Sequence, residues 1–144
     1  MMRVIPADSR IRECIEIRKK VFVEEQGVPV ELEVDEMDSP GSGCLHFLLI
    51  DDEGRPFGTF RGYFEDEKTV HLQRFCILKE HRSKGMGREA FRCAADIFSD
   101  RGAEKLTFGA QCSAIGFYEK CGCRVVSDLF MDAGIPHRTM EYSL

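Results

Sequence analysis

The stretch from Leu72 to Phe91, LQRFCILKEHRSKGMGREAF, constrains this chain more than any other. Apolar and β-favouring residues over Val70 to Ile77 predict a buried strand. A short basic turn follows, and then a helix that runs to about Ser99. The turn is Arg82-Ser83-Lys84-Gly85-Met86-Gly87. Its two glycines carry no Cβ, so a ligand can approach the main chain. The helix presents unpaired N–H groups and the positive end of its dipole at the same point. Arg82, Lys84 and Arg88 add full positive charges. The combination predicts an anion cradle for a phosphate or pyrophosphate. Tight turns also use glycine for purely conformational reasons. Two familiar phosphate loops are excluded, because Gly85-x-Gly87 runs into Arg88-Glu89-Ala90 and completes neither G-x-x-x-x-G-K-[ST] nor G-x-G-x-x-G.

Around this stretch the chain alternates short strands and two kinds of helix. Arg3 to Ile5 predicts an edge strand. Asp8 and Ser9 offer an N-cap to a helix whose apolar face is Ile11, Cys14, Ile15, Arg18 and Val21 or Phe22, stopped by Gly27 and Pro29. Glu31 to Gly43 is acidic and turn-rich, a loop or short helix over the sheet. Cys44 to Asp51 and Pro56 to Phe64 predict two strands joined by Asp52-Glu53-Gly54. After the central helix, with its stripe of Ala90, Phe91, Ala94, Ala95 and Phe98, come a strand at Leu106 to Ala110 and a short helix at Ala114 to Lys120. Two last strands, Arg124 to Ser127 and Thr139 to Ser143, are joined by Asp128 to Arg138. This order predicts an α/β (α+β) domain: one mixed, mostly antiparallel sheet flanked by helices.

Composition narrows the functional classes. A net charge of −5 argues against a nucleic-acid partner, with basic residues clustered locally instead. No apolar run approaches the roughly 20 residues of a membrane span. MMRVIPADSR lacks the apolar core of a signal peptide, so a cytoplasmic location is expected. Seven cysteines, with no export signal, predict reduced and mostly buried thiols. Cys121-x-Cys123, with Cys112 and His71 or His137, lacks the C-x₂₋₄-C spacing of structural zinc sites, so no metal is expected.

R-x-x-G-x-G after a strand resembles the acetyl-CoA pyrophosphate loop of the GNAT superfamily of N-acetyltransferases. Gln111 to Cys123 (QCSAIGFYEKCGC) is similar to that family's second signature, N-x-x-A-x-x-F-Y-E-K-x-G-F. Lys19 to Pro29 (KKVFVEEQGVP) and Asp132 to Met140 (DAGIPHRTM) resemble flanking segments of its ElaA-like (YjcF-like) branch. The resemblance implies one acetyltransferase domain over residues 1–144 that transfers acetyl from acetyl-CoA directly to a primary amine of a small molecule or protein. The alternative it leaves is a non-catalytic acyl-CoA-binding regulatory module. It also implies that the central strand and the strand before Gln111 splay apart to admit the pantetheine arm. The main chain of Phe75, Cys76 and Ile77 would pair with that arm. The amides of Arg82, Ser83, Lys84, Gly85, Met86 and Gly87 would hold the pyrophosphate, with a further contact from Gln111. Tyr118 takes the general-acid role, protonating the departing thiolate. Gln111 departs from the family's commoner Asn, and the central strand lacks the Glu that some members use as base. His71, Glu33, Asp35 and His137 remain as candidates, with a water chain as the alternative, and Glu24, Glu25 and Gln26 could shape an acceptor pocket. A homodimer is possible.

Overall fold

The computed structural model describes residues 2–144. In chain order it contains β1 (Arg3–Pro6), α1 (Ile11–Arg18), α2 (Val30–Glu33), β2 (Leu45–Ile50), β3 (Pro56–Phe64) and β4 (Thr69–Ile77). Then come α3 (Met86–Asp100), β5 (Lys105–Gln111), α4 (Ile115–Lys120), β6 (Arg124–Val125), β7 (Phe130–Asp132) and β8 (Ile135–Ser143). One sheet runs in the order β1-β2-β3-β4-β5-β8-β6, with β7 also on β8. Every pairing is antiparallel except β4 with β5. The expected mixed sheet flanked by helices is the observed one.

Alternation along the strands divides the core between two faces. Leu48, Ile50 and Cys76 turn toward α1, where they meet Cys14, Ile17 and Val21. Phe47, Phe60, Leu72 and Phe108 turn toward α3 and meet Ala90, Phe91, Ala94, Ala95 and Phe98, the predicted stripe. Each large apolar side chain so buried contributes about 1.5–3 kcal/mol. Gly62 allows the closest of these approaches: a Cβ there would lie 2.7 Å from the Phe98 ring. The α1 face differs from the expectation by one position. Ile17, not Ile15, is buried, because Cys14, Ile17, Arg18 and Val21 follow the i, i+3, i+4, i+7 spacing of one helical face. The helix runs on as a π-helical segment (Lys19–Glu25). Gly27, at φ 74°, ends the segment as predicted.

The connection expected over residues 128–138 is a β-hairpin instead. β8 begins at Ile135 rather than Thr139 and pairs back onto β7 through a two-residue turn, Ala133 (φ 52°) and Gly134 (φ 77°). Positive φ at both central positions is the hairpin-favouring type. Alanine rarely adopts it, so the sequence signal is weak. Pro136 lies one residue past the last β5–β8 pair, Gln111 with His137, so β5 loses no bond to its missing N–H.

The acidic stretch after α1 is tied to the sheet by buried charge. Arg18, 1% exposed, donates to Glu33 Oε2 (2.9 Å), Glu33 O (2.6 Å) and both oxygens of Asp38 (2.6 and 3.0 Å). Arg61, also 1% exposed, grips Asp35 with two bonds of 2.8 Å and reaches Asp38 Oδ1 at 3.0 Å. Burial alone would raise the Asp38 carboxyl. The Arg18 hydrogen bond, the Asp35 N–H and the charges of Arg18 and Arg61 outweigh it and hold the group at about 2. Burial would likewise lower the Arg18 guanidinium, but Asp38 and Glu33 raise it.

Removing one partner from such a cluster leaves charge buried and uncompensated. Asp38→Asn is expected to lose about 3–5 kcal/mol of stability at pH 7 in urea unfolding. The Asp38 carboxyl is depressed in the folded state, so its contribution is full above pH ~4 and lost as pH falls toward 2. The gap between wild type and variant should therefore narrow by about 2 kcal/mol across that window.

Candidate active site

The parallel pairing of β4 with β5 is short. It joins Thr69, Val70 and His71 to Lys105, Leu106 and Thr107 and then stops. β5 keeps its register with β8 as far as Gln111, while β4 continues with β3 to Ile77. The two halves of the sheet therefore part beyond His71, and a cleft of about 900 Å³ opens between them.

β4 is bent where the cleft begins. Its pairing with β3 skips between Gln73 and Cys76, and Arg74 stands in the left-handed region at φ 56°. A bulge of this kind adds twist and redirects the strand. Leu78 N–H bonds Phe57 O at 2.8 Å, so by alternation the N–H and C=O of Ile77 and Phe75 turn away from β3 and toward the gap. Cys76 pairs with Thr59, and its side chain packs on the α1 face. Of the three main chains expected to meet the pantetheine arm, those of Phe75 and Ile77 thus face the gap and that of Cys76 faces β3. The Ile77 carbonyl already accepts Arg82 Nε at 2.9 Å.

At the far end of the gap lies the start of α3. The helix ladder opens with Glu89 N–H on Gly85 O (3.2 Å), which leaves the N–H groups of Met86, Gly87 and Arg88 as its orphan donors. Ser83 (φ 65°) and Gly85 (φ 75°) both adopt left-handed backbone, and no side chain caps the helix. A Cβ on Gly87 would lie 3.3 Å from the Phe117 ring, so this glycine lets α3 and α4 close together. Arg82, Ser83, Gly85, Gly87 and Arg88 line the cleft. Lys84 is exposed outside it, and the Met86 side chain packs on the core. The Arg82 guanidinium is not free for an anion: it holds Glu25 in a bidentate pair (2.7 and 3.0 Å) and so straps the turn to the π-helical segment.

Tyr118 forms part of the opposite wall. Its ring touches those of Phe108 (4.6 Å between centroids), Phe117 (5.1 Å), Phe91 (5.8 Å) and Phe75 (6.4 Å). Burial raises the phenol above its ordinary value, so it keeps its proton at neutral pH. Gln111 Nε2 donates to Gln26 Oε1 at 2.6 Å, a bridge between β5 and the end of the π-helical segment at the cleft mouth.

The base candidates fare differently. Glu33 Oε2 meets Arg18 Nε (2.9 Å) and also lies 2.8 Å from Arg74 Nε, whose N–H is not aligned for a hydrogen bond. Asp35 is engaged by Arg61 and approached by Arg74 at 3.5 Å. Burial would raise Asp35, but the Arg61 hydrogen bond and both guanidinium charges hold it below the usual carboxylate value. His71 sits at the closed end of the splay, its Nδ1 within 3.1 Å of Thr107 Oγ1 and of Glu65 Oε1. Burial lowers it. His137 lines the cleft and is 8% exposed. Sequence reasoning missed Arg74, Gln26 as a partner of Gln111, and Phe130, whose ring reaches the cleft over Gly109. Of these, the sequence singles out only Gln26, as a possible acceptor-pocket residue after Glu24 and Glu25.

Cys76 offers no nucleophile to the cleft, since its side chain packs on the α1 face. Burial pushes Cys76 far above the ordinary thiol value and Cys123 up to about 12. All seven cysteines are unpaired, and among the described residues no group of three or more His, Cys, Asp and Glu is arranged to hold a metal.

The family model described as an acetyltransferase (GNAT) domain matches residues 15–144. The chain belongs to the GNAT acetyltransferase family. It is 37% identical to the uncharacterised N-acetyltransferase YjcF of Bacillus subtilis over 134 residues, 92% of each chain. Its fold superposes on a candidate N-acetyltransferase from Lactobacillus plantarum with a TM-score of 0.89 at 27% identity, covering 99% of this chain and 98% of that one. Escherichia coli ElaA gives a TM-score of 0.82 at 20% identity over 98% of this chain and 97% of that one. The likeness to YjcF in sequence and to ElaA in fold agrees with the ElaA-like (YjcF-like) resemblance. The family makes the protein an acyl-CoA-dependent N-acyltransferase. Among the described residues no helix is long and apolar enough to cross a membrane.

Iodoacetamide labelling of the folded protein at pH 8 should leave Cys14, Cys76 and Cys123 at least about tenfold less modified than Cys112, read by peptide mass spectrometry, because a buried protonated thiol does not react.

Proposed function

We propose that the protein transfers the acetyl group of acetyl-CoA directly to a primary amine, with both substrates bound in the cleft between β4 and β5. The observation that carries this reading is the parting of the strands beyond His71 and Thr107, which leaves β4 backbone without a strand partner along a path that ends at the α3 amides. The main chain of Phe75 and Ile77 holds the pantetheine amides as a neighbouring strand would. The N–H groups of Met86, Gly87 and Arg88 take the pyrophosphate. Hydrogen bonds to a charged group contribute about 1.5–3 kcal/mol each, so three are enough to anchor the substrate. Arg82 serves indirectly, fixing the turn by its pair with Glu25, while Arg88 supplies free positive charge. Gln111 exchanges its bond to Gln26 for a substrate contact.

Acetyl transfer requires a neutral amine, donors for the oxyanion and a proton for the leaving thiolate. Tyr118 supplies that proton. Its packing among four aromatic rings keeps the phenol protonated until a thiolate forms beside it. The transfer is direct, since the Cys76 thiol packs on the α1 face and is held protonated by burial.

Tyr118→Phe removes the hydroxyl and keeps the ring. Acetyl-CoA-dependent thiol release in the presence of amine should fall by about 10²-fold or more in kcat, with little change in stability. Unchanged turnover would remove Tyr118 from the mechanism.

A further inference from the structure

The reaction needs a group to take a proton from an acceptor that is an ammonium ion in water, and most carboxylates near the cleft cannot do so. Glu33 and Asp35 are committed to Arg18, Arg61 and Arg74. Asp132 lies exposed at the rim, with no ordered partner to orient it toward the cleft among the described residues. His71 is held by Thr107 and Glu65 at the closed end.

His137 is arranged differently. Its Nδ1 lies 2.7 Å from the carbonyl oxygen of Ile135. A carbonyl can only accept, so Nδ1 carries the proton and Nε2 carries the lone pair. Among the described residues Nε2 has no hydrogen-bond partner. The ring is clamped on one side by Phe130, stacked on it at 5.8 Å and 26°. Gly109 lies beside both rings, and a Cβ there would come within 3.4 Å of Phe130 and 3.9 Å of the imidazole, so its bare backbone leaves room for the stack. His137 also pairs across the sheet with Gln111, the last residue of β5, at the mouth of the parting. A fixed tautomer, a fixed ring plane and a free lone pair at a cleft are the properties of an oriented base.

The same cleft has apolar walls on both sides of its mouth. Leu32 of α2, 54% exposed, and Phe130 of β7, 38% exposed, are joined by Ile135 and Val28. The three arginines behind α2 are matched by three carboxylates, so this buried cluster presents no spare charge to an acceptor body.

We propose that His137 Nε2 takes the proton from the acceptor ammonium, and that Leu32, Phe130 and Ile135 hold an apolar body carrying that amine. The inference rests on the acetyl-transfer reading above. The first ammonium proton passes to Nε2 and on to water. The freed nitrogen lone pair attacks the thioester carbonyl, the C–N bond forms and the C–S bond breaks. The second proton lost from nitrogen balances the one Tyr118 gives to sulfur, so each turnover yields amide, thiol and one proton.

The test compares wild type with His137→Gln and His137→Ala on three acceptors at pH 7.5. They are 2-phenylethylamine, an apolar ammonium; phenylhydrazine, whose terminal nitrogen is already neutral; and spermidine, a polycation. With phenylethylamine both variants should lose at least about tenfold in kcat/KM, whereas with phenylhydrazine the loss stays below about threefold. The acetyl-CoA dissociation constant should change less than about twofold, which separates a lost base from a damaged fold. Wild type should favour phenylethylamine over spermidine by about tenfold or more. Equal losses on both neutral and charged acceptors, or no loss on either, overturn the role of His137. A preference for spermidine overturns the apolar body. Wild type that acetylates no amine overturns the acetyl-transfer reading itself, and the base with it.

Discussion

Backbone N–H and C=O groups inside a protein must find partners, and this fold leaves a row of them open where β4 and β5 separate. Much of the molecule can be understood as holding that parting in place. The pairs at Thr69–Lys105 and His71–Thr107 pin its closed end, and β5 is held to β8 along its whole length. The bulge at Arg74 turns β4 away. Beneath the gap the packed rings of Phe75, Phe91, Phe108 and Tyr118 bridge the two halves from the α3 side. Such a gap in a sheet is stable only if something polar enters it or water fills it. A substrate arm with spaced amides answers the first condition.

The opposite face relies on charge rather than aromatic packing. Arg18, Arg61 and Arg74 come from α1, β3 and β4, and their partners Glu33, Asp35 and Asp38 come from one short acidic stretch. Buried ion pairs are weak evidence of net stability, since desolvation offsets most of the attraction. Their geometric effect is the clearer one. They fix α2 against the edge of the cleft and set where Leu32 stands, which an apolar contact of similar area would do with less directional precision. Arg74 links this cluster to the strained bulge, so the shape of β4 and the position of α2 are coupled.

The parts of the site legible in the sequence are the short-range ones. Arg82 to Gly87 and Phe117-Tyr118-Glu119-Lys120 each lie within one turn and its adjoining helix, so their spacing carries the geometry. The α3 stripe was readable for the same reason. The charge cluster was not, because Arg18 and Asp38 stand 20 residues apart and Arg61 and Asp35 stand 26 apart. No local pattern distinguishes a buried arginine from one on a solvated helix face, and Arg18 fell in the apolar register for that unseen reason. Arg74 at positive φ and Ala133 in the β7–β8 turn are conformations imposed by tertiary contacts on residues that do not prefer them. The tautomer of His137 depends on a carbonyl two residues away whose direction only the hairpin fixes.

The central claim is that the parting of β4 and β5, closed by the α3 amides, is an acetyl-CoA site. Thermal unfolding with and without acetyl-CoA, beside ATP and NAD, tests it most directly. At about 100 times its dissociation constant a ligand adds about 2.7 kcal/mol, a shift of a few degrees for a domain of this size. The account predicts that shift with acetyl-CoA and not with ATP or NAD. No shift with acetyl-CoA, or an equal one with ATP, would contradict it.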